Sequence, residues 1–292
     1  MEAYYARNDP VHEAFVALLR NPRTTAKQKS EALAKVKALG GTQWSMHIHN
    51  IAKKESQCPN ACKYCYMIGI RQRFWGATAP AEQQIEGLVP DDARVDKKWS
   101  TRGVRKLVMM PSSHDIVPEI LAQFIKAARA ILEVGHSLLI VTKPRADCIL
   151  PIDDALAEYR ANIIYRLTIT SMTPAILAYW EPRAPSFDER FGVLRELHAR
   201  GCTTSVSIEP MLEDPRALVA TLRPFVSETI WIGTMSGKQD CPAEESARLA
   251  ALATPAALDA LAREFAGDVQ VRFKTHVMEV VIANVRVVRA KP

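Results

Sequence analysis

Short apolar runs alternate with helical patterns along most of this chain, and that alternation limits the folds open to it. The apolar runs occupy residues 44–51, 105–110, 137–142, 163–170, 203–209, 229–234 and 269–274. Between them, apolar residues recur every three or four positions, for example over 116–134 and 187–200, which predicts amphipathic helices. Strands and helices in alternation are typical of a parallel sheet with right-handed crossovers.

We therefore expect an α/β fold over residues 44–292, a partial (β/α)6-type barrel of the TIM kind with parallel strands. The chain of 292 residues is long enough for a single barrel. Two helices are predicted before it, at 10–19 and 25–39, the first with Asp9 as its N-cap. Residues 1–43 are accordingly expected to form an N-terminal helical extension.

One stretch, 71–104, shows neither periodic pattern and holds Gly76, Pro80 and Pro90. It predicts a long irregular loop. Loops of this length in compact domains are usually functional or disordered.

The composition is that of an ordinary globular protein, with 48% apolar and 24% charged residues. No apolar run approaches the roughly 18–20 residues that span a bilayer, and the N-terminus lacks the layout of a signal peptide. We expect a cytoplasmic protein without a membrane partner, whose six cysteines are reduced. The net charge of +6 is compatible with an anionic substrate or a nucleic acid, although no block of like charges marks a binding face.

The loop after the first predicted strand holds three cysteines in a C-x3-C-x2-C spacing, Cys58, Cys62 and Cys65. Thiolates this close along the chain can bind one metal centre. A [4Fe–4S] cluster usually takes four cysteines, so three would leave one iron open for chemistry. A structural zinc site is the alternative, with His47 or His49 as the fourth ligand.

Polar residues also follow the predicted strands. In α/β barrels, active sites lie at the carboxyl ends of the strands, so polar residues there are candidate ligands. These residues are Ser113 and Asp115 after the second strand, Lys143 after the third, Thr168 in the fourth and Glu209 ending the fifth.

The cysteine spacing resembles the signature of the radical S-adenosylmethionine (SAM) superfamily. From about residue 105 to 212 the chain also resembles the spore photoproduct lyase branch of that superfamily. Six ordered motifs carry the second resemblance: Ser113-His114-Asp115-Ile116-Val117, Val141-Thr142-Lys143, Arg166-Leu167-Thr168-Ile169, Trp180-Glu181-Pro182-Arg183-Ala184-Pro185-Ser186-Phe187-Asp188-Glu189-Arg190, Ala199-Arg200-Gly201, and Ile208-Glu209-Pro210-Met211-Leu212.

The resemblance implies a radical SAM enzyme. In that superfamily three cysteines bind a [4Fe–4S] cluster, and its open iron binds SAM. An electron from a flavodoxin or ferredoxin then drives cleavage of SAM to methionine and a 5′-deoxyadenosyl radical, which takes a hydrogen atom from the substrate. Here the cluster ligands would be Cys58, Cys62 and Cys65, and the residues implied in SAM binding are Tyr64, Ser113, Asp115, Lys143, Thr168 and Glu209.

One position departs from the lyase pattern. The lyase has a hydrogen-donating cysteine where this chain has Ser112, and a hydroxyl hydrogen is much harder to abstract than a thiol hydrogen. We expect a relative with a different substrate, in which Cys148 or Cys241 is a candidate hydrogen donor. Two alternatives stay open: an enzyme acting on DNA lesions or other nucleic acid, and a non-enzymatic zinc or iron–sulfur module.

Overall fold

The computed structural model describes residues 2–39, 47–75, 87–100, 104–235 and 241–287, with the backbone alone at 2–7 and 71–75. The strands are β1 His47–Ile48, β2 Leu107–Met110, β3 Ser137–Thr142, β4 Ile163–Thr168, β5 Thr203–Ile208, β6 Ile230–Ile232 and β7 Val271–Phe273. The helices are α1 Glu2–Arg20, α2 Ala26–Leu39, α3 Tyr66–Trp75, α4 Asp92–Val95, α5 Leu121–Glu133, α6 Ala146–Ala155, α7 Pro174–Trp180, α8 Phe187–Ala199, α9 Pro215–Leu222, α10 Ala243–Leu252, α11 Pro255–Glu264 and α12 Thr275–Asn284.

The seven strands form one parallel sheet in which each strand pairs with the next along the chain, in the order β1 to β7. The predicted α/β fold with parallel strands is confirmed, and each of the seven strands lies within one of the seven predicted runs. Among the described residues β1 and β7 do not pair, so the sheet is open. It is nevertheless curved, because Ile48 on β1 and Lys274 after β7 line the same cavity.

The central strands β3, β4 and β5 are almost entirely buried, as expected for a parallel sheet covered by helices. In β4 every residue is buried. Helix α5 turns Phe124, Ala128 and Ile131 inward and leaves its other face to solvent, which is the arrangement its sequence period predicts. Burial on both faces therefore fixes the position of the strands whose carboxyl ends bear the candidate ligands.

The N-terminal helices form a hairpin that packs on α12. The ring of Phe15, 1% exposed, lies 6.0 Å from that of Phe273 on β7 in an edge-to-face arrangement. The ammonium of Lys29 donates to the carbonyl of Ala283 at 2.7 Å, which ties α2 to the end of α12. The predicted N-cap at Asp9 is wrong, because α1 begins at Glu2 and contains Pro10. Burial of residues on both sides of the proline, Asn8 and Val11, offsets the backbone hydrogen bond that proline cannot make.

The prediction of an irregular loop at 71–104 is wrong in two places, since α3 extends to Trp75 and α4 covers Asp92–Val95. Asp91 caps α4, and its backbone N–H donates to the carbonyl of Ile51 at 2.7 Å. Residues 76–86 and 101–103 lie outside the described part. Within that part, no helix combines the length and apolarity needed to cross a lipid bilayer.

Replacing Phe15 with alanine is expected to lower the free energy of unfolding by about 3–5 kcal/mol, because it removes a buried ring that contacts β7. Urea unfolding followed by circular dichroism measures the change. Val269→Ala is the control, since Val269 is 82% exposed and such substitutions change stability by less than about 0.5 kcal/mol. A loss below about 1 kcal/mol for Phe15→Ala would contradict a core shared between the hairpin and the sheet.

Candidate functional site

A cavity of about 1000 Å³ opens at the carboxyl edge of the sheet. Position at the carboxyl ends of predicted strands, together with the resemblance, indicates one set of candidate metal and cofactor ligands. The structure brings this whole set to the wall of the cavity. The set consists of Cys58, Cys62, Tyr64, Cys65, Ser113, Asp115, Lys143, Thr168 and Glu209.

The cysteine loop, residues 58–65, lies between β1 and α3 and ends where α3 begins. Between the first two cysteines Ala61 adopts a left-handed φ of 51°, a conformation that residues other than glycine seldom take. The backbone N–H of Lys63 donates to the carbonyl of Trp180 at 2.9 Å, so the loop rests on the end of α7. All three cysteines carry free thiols, with Cys62 buried and the other two half-buried.

Burial makes two of these thiols reluctant to ionise. It raises the pKa of Cys58 to about 11, and the nearby carboxylate of Asp115 acts in the same direction. It raises the pKa of Cys62 to about 12, against the opposing effect of the Lys143 ammonium. A metal centre that binds these sulfurs must therefore displace their protons, as is usual for cysteine ligands.

The described residues do not form a site for a single metal ion, since no three His, Cys, Asp or Glu side chains among them are close enough to share one. The histidines proposed as a fourth zinc ligand face away from the cysteines. Ile48 lines the cavity, and its neighbours His47 and His49 point to the other face of the strand. His49 instead lies 3.0 Å from the carbonyl of Arg94 and packs against Trp99. Three sulfurs that bind different irons of a cluster need not converge in this way, so the donor set fits a [4Fe–4S] cluster better than zinc.

Asp115 is the centre of a buried network between the cysteine loop and β3. One carboxylate oxygen accepts from the amide of Asn60 at 2.9 Å. The other accepts from the backbone N–H of Lys143 at 2.6 Å and from the hydroxyl of Thr142 at 3.0 Å. The Lys143 ammonium lies 3.5 Å from the carboxylate. Burial alone would raise the pKa of Asp115, but the ammonium and these hydrogen bonds outweigh it and lower the pKa.

Tyr64 is held by a second buried carboxylate. Its hydroxyl donates to Glu181, which also accepts from Thr170 at 2.8 Å and forms a fully buried ion pair with Arg190. Burial raises the pKa of Tyr64 well above its ordinary value, and the charge of Glu181 adds to the effect. The Lys143 ammonium lies 5.5 Å from the centre of the tyrosine ring, so the ring joins the loop to the end of β3.

The interior of the sheet below the cavity is closed by a charged layer. Arg166 is fully buried and pairs with Glu228 at 3.0 Å, and it also donates to Ser205 at 2.9 Å. Above this layer, Thr168 and Ser207 line the cavity, with Glu209 and Lys274 close to each other at 3.4 Å.

Several residues of the site were missed in the sequence. Asn50 fixes the loop after β2, because its amide oxygen accepts from the backbone N–H groups of Ser112 and Ser113. Asn60 and Glu181 hold the cysteine loop, and Glu181 lies within a motif quoted above without a role. Lys274 follows β7 as Lys143 follows β3. Because active-site residues lie at the carboxyl ends of barrel strands, Lys274 could have been predicted from its position after the last strand.

The remaining cysteines do not reach the cavity in the described structure. Cys148 lies in the first turn of α6, fully buried between helix and sheet, and burial raises its pKa to about 12. Cys241 is half-buried just before α10 and is absent from the cavity wall. Cys202 opens β5 at the other edge of the sheet, where its thiol donates to Asp153 at 3.2 Å. Ser112 does line the cavity.

No protein-family model matches the chain. Among curated proteins, it is 29% identical over 167 residues to an uncharacterized protein, ORF301, of Acidianus two-tailed virus. The match covers 53% of this chain and 53% of the relative. The chain therefore spans about half the length of the curated relative it matches.

Two solved proteins are similar in structure. A spore photoproduct lyase double mutant with bound AdoMet and dinucleoside spore photoproduct is 16% identical, with a TM-score of 0.44 over 70% of this chain and 60% of that one. SuiB of Streptococcus suis bound to S-adenosylmethionine is 9% identical, with a TM-score of 0.43 over 87% of this chain and 57% of that one.

Asp115→Asn is expected to lower the free energy of unfolding by about 3 kcal/mol or more at neutral pH, since it leaves the Lys143 ammonium buried beside a neutral group. The pKa of Asp115 is lowered in the folded protein. Its stabilisation is therefore complete above the unfolded-state pKa of about 3.9 and is lost as the pH falls through the folded value.

The difference between wild type and Asp115→Asn should accordingly stay constant from about pH 7 to 5 and shrink below about pH 4. Urea unfolding of the metal-free proteins across this range measures it, with Asp92→Asn at an exposed site as the control. A difference that stays unchanged at the lowest pH would contradict the lowered pKa.

Proposed function

We propose that the protein is a radical SAM enzyme whose [4Fe–4S] cluster is bound by Cys58, Cys62 and Cys65. The observation that carries the proposal is the meeting of these three thiols with Lys143 and Asp115 in one cavity at the carboxyl edge of a parallel sheet. A three-cysteine set leaves one iron of a cubane cluster without a protein ligand. When bound, the cluster and SAM together would supply a 5′-deoxyadenosyl radical that takes a hydrogen atom from an unreactive C–H bond.

The chain's own residues would bind and orient SAM. The ammonium of Lys143 can donate to the SAM carboxylate, and the hydroxyls of Ser113 and Thr168 can bond to the ribose. Asp115 acts indirectly, because it holds the backbone and the ammonium of Lys143. A ligand surrounded by these preset groups would pay little further ordering entropy on binding.

The cavity would also protect a radical. Its lower wall is apolar, with Ile48, Met109 and Val141, and the buried layer around Arg166 closes it below. Exclusion of water and of stray hydrogen donors is the protein's contribution to chemistry that a cofactor supplies. Among the described residues no thiol other than the three loop cysteines lines the cavity, so we expect a hydrogen donor other than Cys148 or Cys241.

A small polar substrate is favoured over a nucleic acid by the charges of the described cavity wall. The described wall holds three carboxylates and three basic groups, namely Asp115, Glu119 and Glu209 with Lys143, Arg183 and Lys274. A face that tracks a phosphate backbone needs an excess of basic groups. A flavodoxin or ferredoxin remains the expected electron donor.

Anaerobic reconstitution of the protein with iron and sulfide tests the proposal. We expect about four irons per chain, absorption near about 400 nm, and formation of 5′-deoxyadenosine and methionine when the protein is reduced in the presence of SAM. Cys62→Ala should lose both the absorption and SAM cleavage, because it removes one of three ligands.

Cys202→Ala is the matched control, since that buried thiol lies at the other edge of the sheet and should leave iron content unchanged. One equivalent of tightly bound zinc and no SAM cleavage by the wild type would contradict the proposal.

A further inference from the structure

Three polar side chains at the ends of β5 and β7 form a recess in the cavity wall. Ser207, Glu209 and Lys274 make up this β5–β7 corner, and all three line the cavity. The resemblance assigned Glu209 to SAM, yet its carboxylate lies 3.4 Å from the ammonium of Lys274. Neither Ser207 nor Lys274 has a role in the SAM contacts described above.

The register of the sheet explains why these side chains face inward together. Ser207 pairs with Trp231, and Trp231 pairs with Arg272. Because side chains alternate along a strand, Glu209 and Lys274, each two residues further on, lie on the same face.

Gly233 at the end of β6 leaves the space in which the ion pair forms. A Cβ atom at this position would lie 2.8 Å from the Cγ of Lys274 and 3.0 Å from the Cγ of Glu209. The first distance is shorter than Cβ contacts in proteins, and the second is tighter than most of them, so a side chain here would require Lys274 to move and would press on Glu209. Because Gly233 has no side chain, Glu209 after β5 and Lys274 after β7 can meet across the end of β6.

Ser207 and Glu209 have hydrogen-bonding capacity that the described residues leave unused. Ser207 is 1% exposed, and its hydroxyl has no hydrogen-bond partner among the described residues. A carboxylate offers about four acceptor sites, of which the ammonium occupies one side. Buried polar groups are usually satisfied, so an unpartnered hydroxyl aimed at a cavity points to a ligand. Burial lowers the pKa of Lys274, and the carboxylate of Glu209 partly opposes that effect.

We infer that the β5–β7 corner recognises the substrate, and that the substrate carries an anionic oxygen group next to a hydrogen-bond donor. Lys274 would bind the anionic group, a carboxylate or a phosphate. Glu209 would accept from a neighbouring hydroxyl or amino group, and Ser207 can bond to either. This inference rests on the proposed function, because it names the substrate class of the same cavity.

Binding of simple probes to the metal-free protein tests the inference by calorimetry. The probes are acetate, inorganic phosphate and L-serine, which separate a carboxylate, a phosphate and a carboxylate with adjacent donors. Lys274→Met should weaken the binding of L-serine, and of whichever of acetate and phosphate the wild type binds more tightly, by about tenfold or more. This is the effect expected from loss of one charge-assisted hydrogen bond. Glu209→Gln should change the two affinities in opposite directions. It should strengthen binding of the simple anion, because it removes a competing carboxylate, and weaken binding of L-serine, because it removes an acceptor.

Gly233→Ala tests the geometry without changing any charge. It should weaken the binding of L-serine by about fivefold or more, because the added methyl group pushes Lys274 away from Glu209. Gly192→Ala is the matched control, since a Cβ at that position meets no atom within 4 Å, and its affinity should equal that of the wild type. Urea unfolding of each variant verifies that it is folded.

The inference is overturned if the wild type binds none of the probes at about 50 mM, or if Lys274→Met leaves every affinity within about twofold. It is equally overturned if a single-stranded DNA oligonucleotide binds the wild type and Lys274→Met alike, because recognition would then lie outside the corner. These outcomes are separate from failure of the proposed function, which shows as absence of a cluster or of SAM cleavage in the reconstituted wild type.

Discussion

The position of the cysteine loop depends on a carboxylate buried beneath it. Glu181 and Arg190 are both fully excluded from solvent, and Glu181 also accepts from Thr170 and Tyr64. One side chain thus joins the end of β4, helix α8 and the loop. A buried ion pair is tolerable only when its remaining hydrogen-bonding groups are satisfied, and removal of one partner typically costs about 3–5 kcal/mol. Loop position and core stability are therefore coupled.

Asp115 plays a corresponding part on the β3 side. Asn60 brings the loop to it, and Thr142 and Lys143 bring the end of the strand. The loop is thereby attached to two buried carboxylates through residues between or beside its cysteines. Such support fixes the first contacts of a ligand before the ligand arrives, which a functional site requires of its surroundings.

Much of this arrangement follows from local sequence patterns. The seven strands are recognisable because apolar runs and helical periods differ, and parallel strands bring their carboxyl ends to one edge, so polar residues far apart in sequence reach one cavity. The face of a two-residue strand was less predictable. His47 and His49 alternate with Ile48, and only the cavity shows which of the two faces is inside.

Residue pairs that meet only through tertiary contacts could not be predicted from the sequence, for a different reason. Tyr64 and Glu181 are 117 positions apart, and the space left by Gly233 depends on side chains from two other strands. No local period, spacing or propensity in the sequence indicates either feature. The start of α1 was missed because proline at position 10 favours a first turn by local rules, whereas burial of its neighbours decides the outcome.

Among the described residues β1 and β7 do not pair with each other, and this has a mechanical consequence. In a closed barrel the radius is set by the number of strands and their stagger, so the lumen has one width. A curved sheet whose first and last strands are not joined has no such restriction, because its curvature can change while each of the six strand pairings is kept. The β5–β7 corner lies at the β7 end of the sheet and the cysteine loop follows β1 at the other end, so a change in curvature alters the distance between the two.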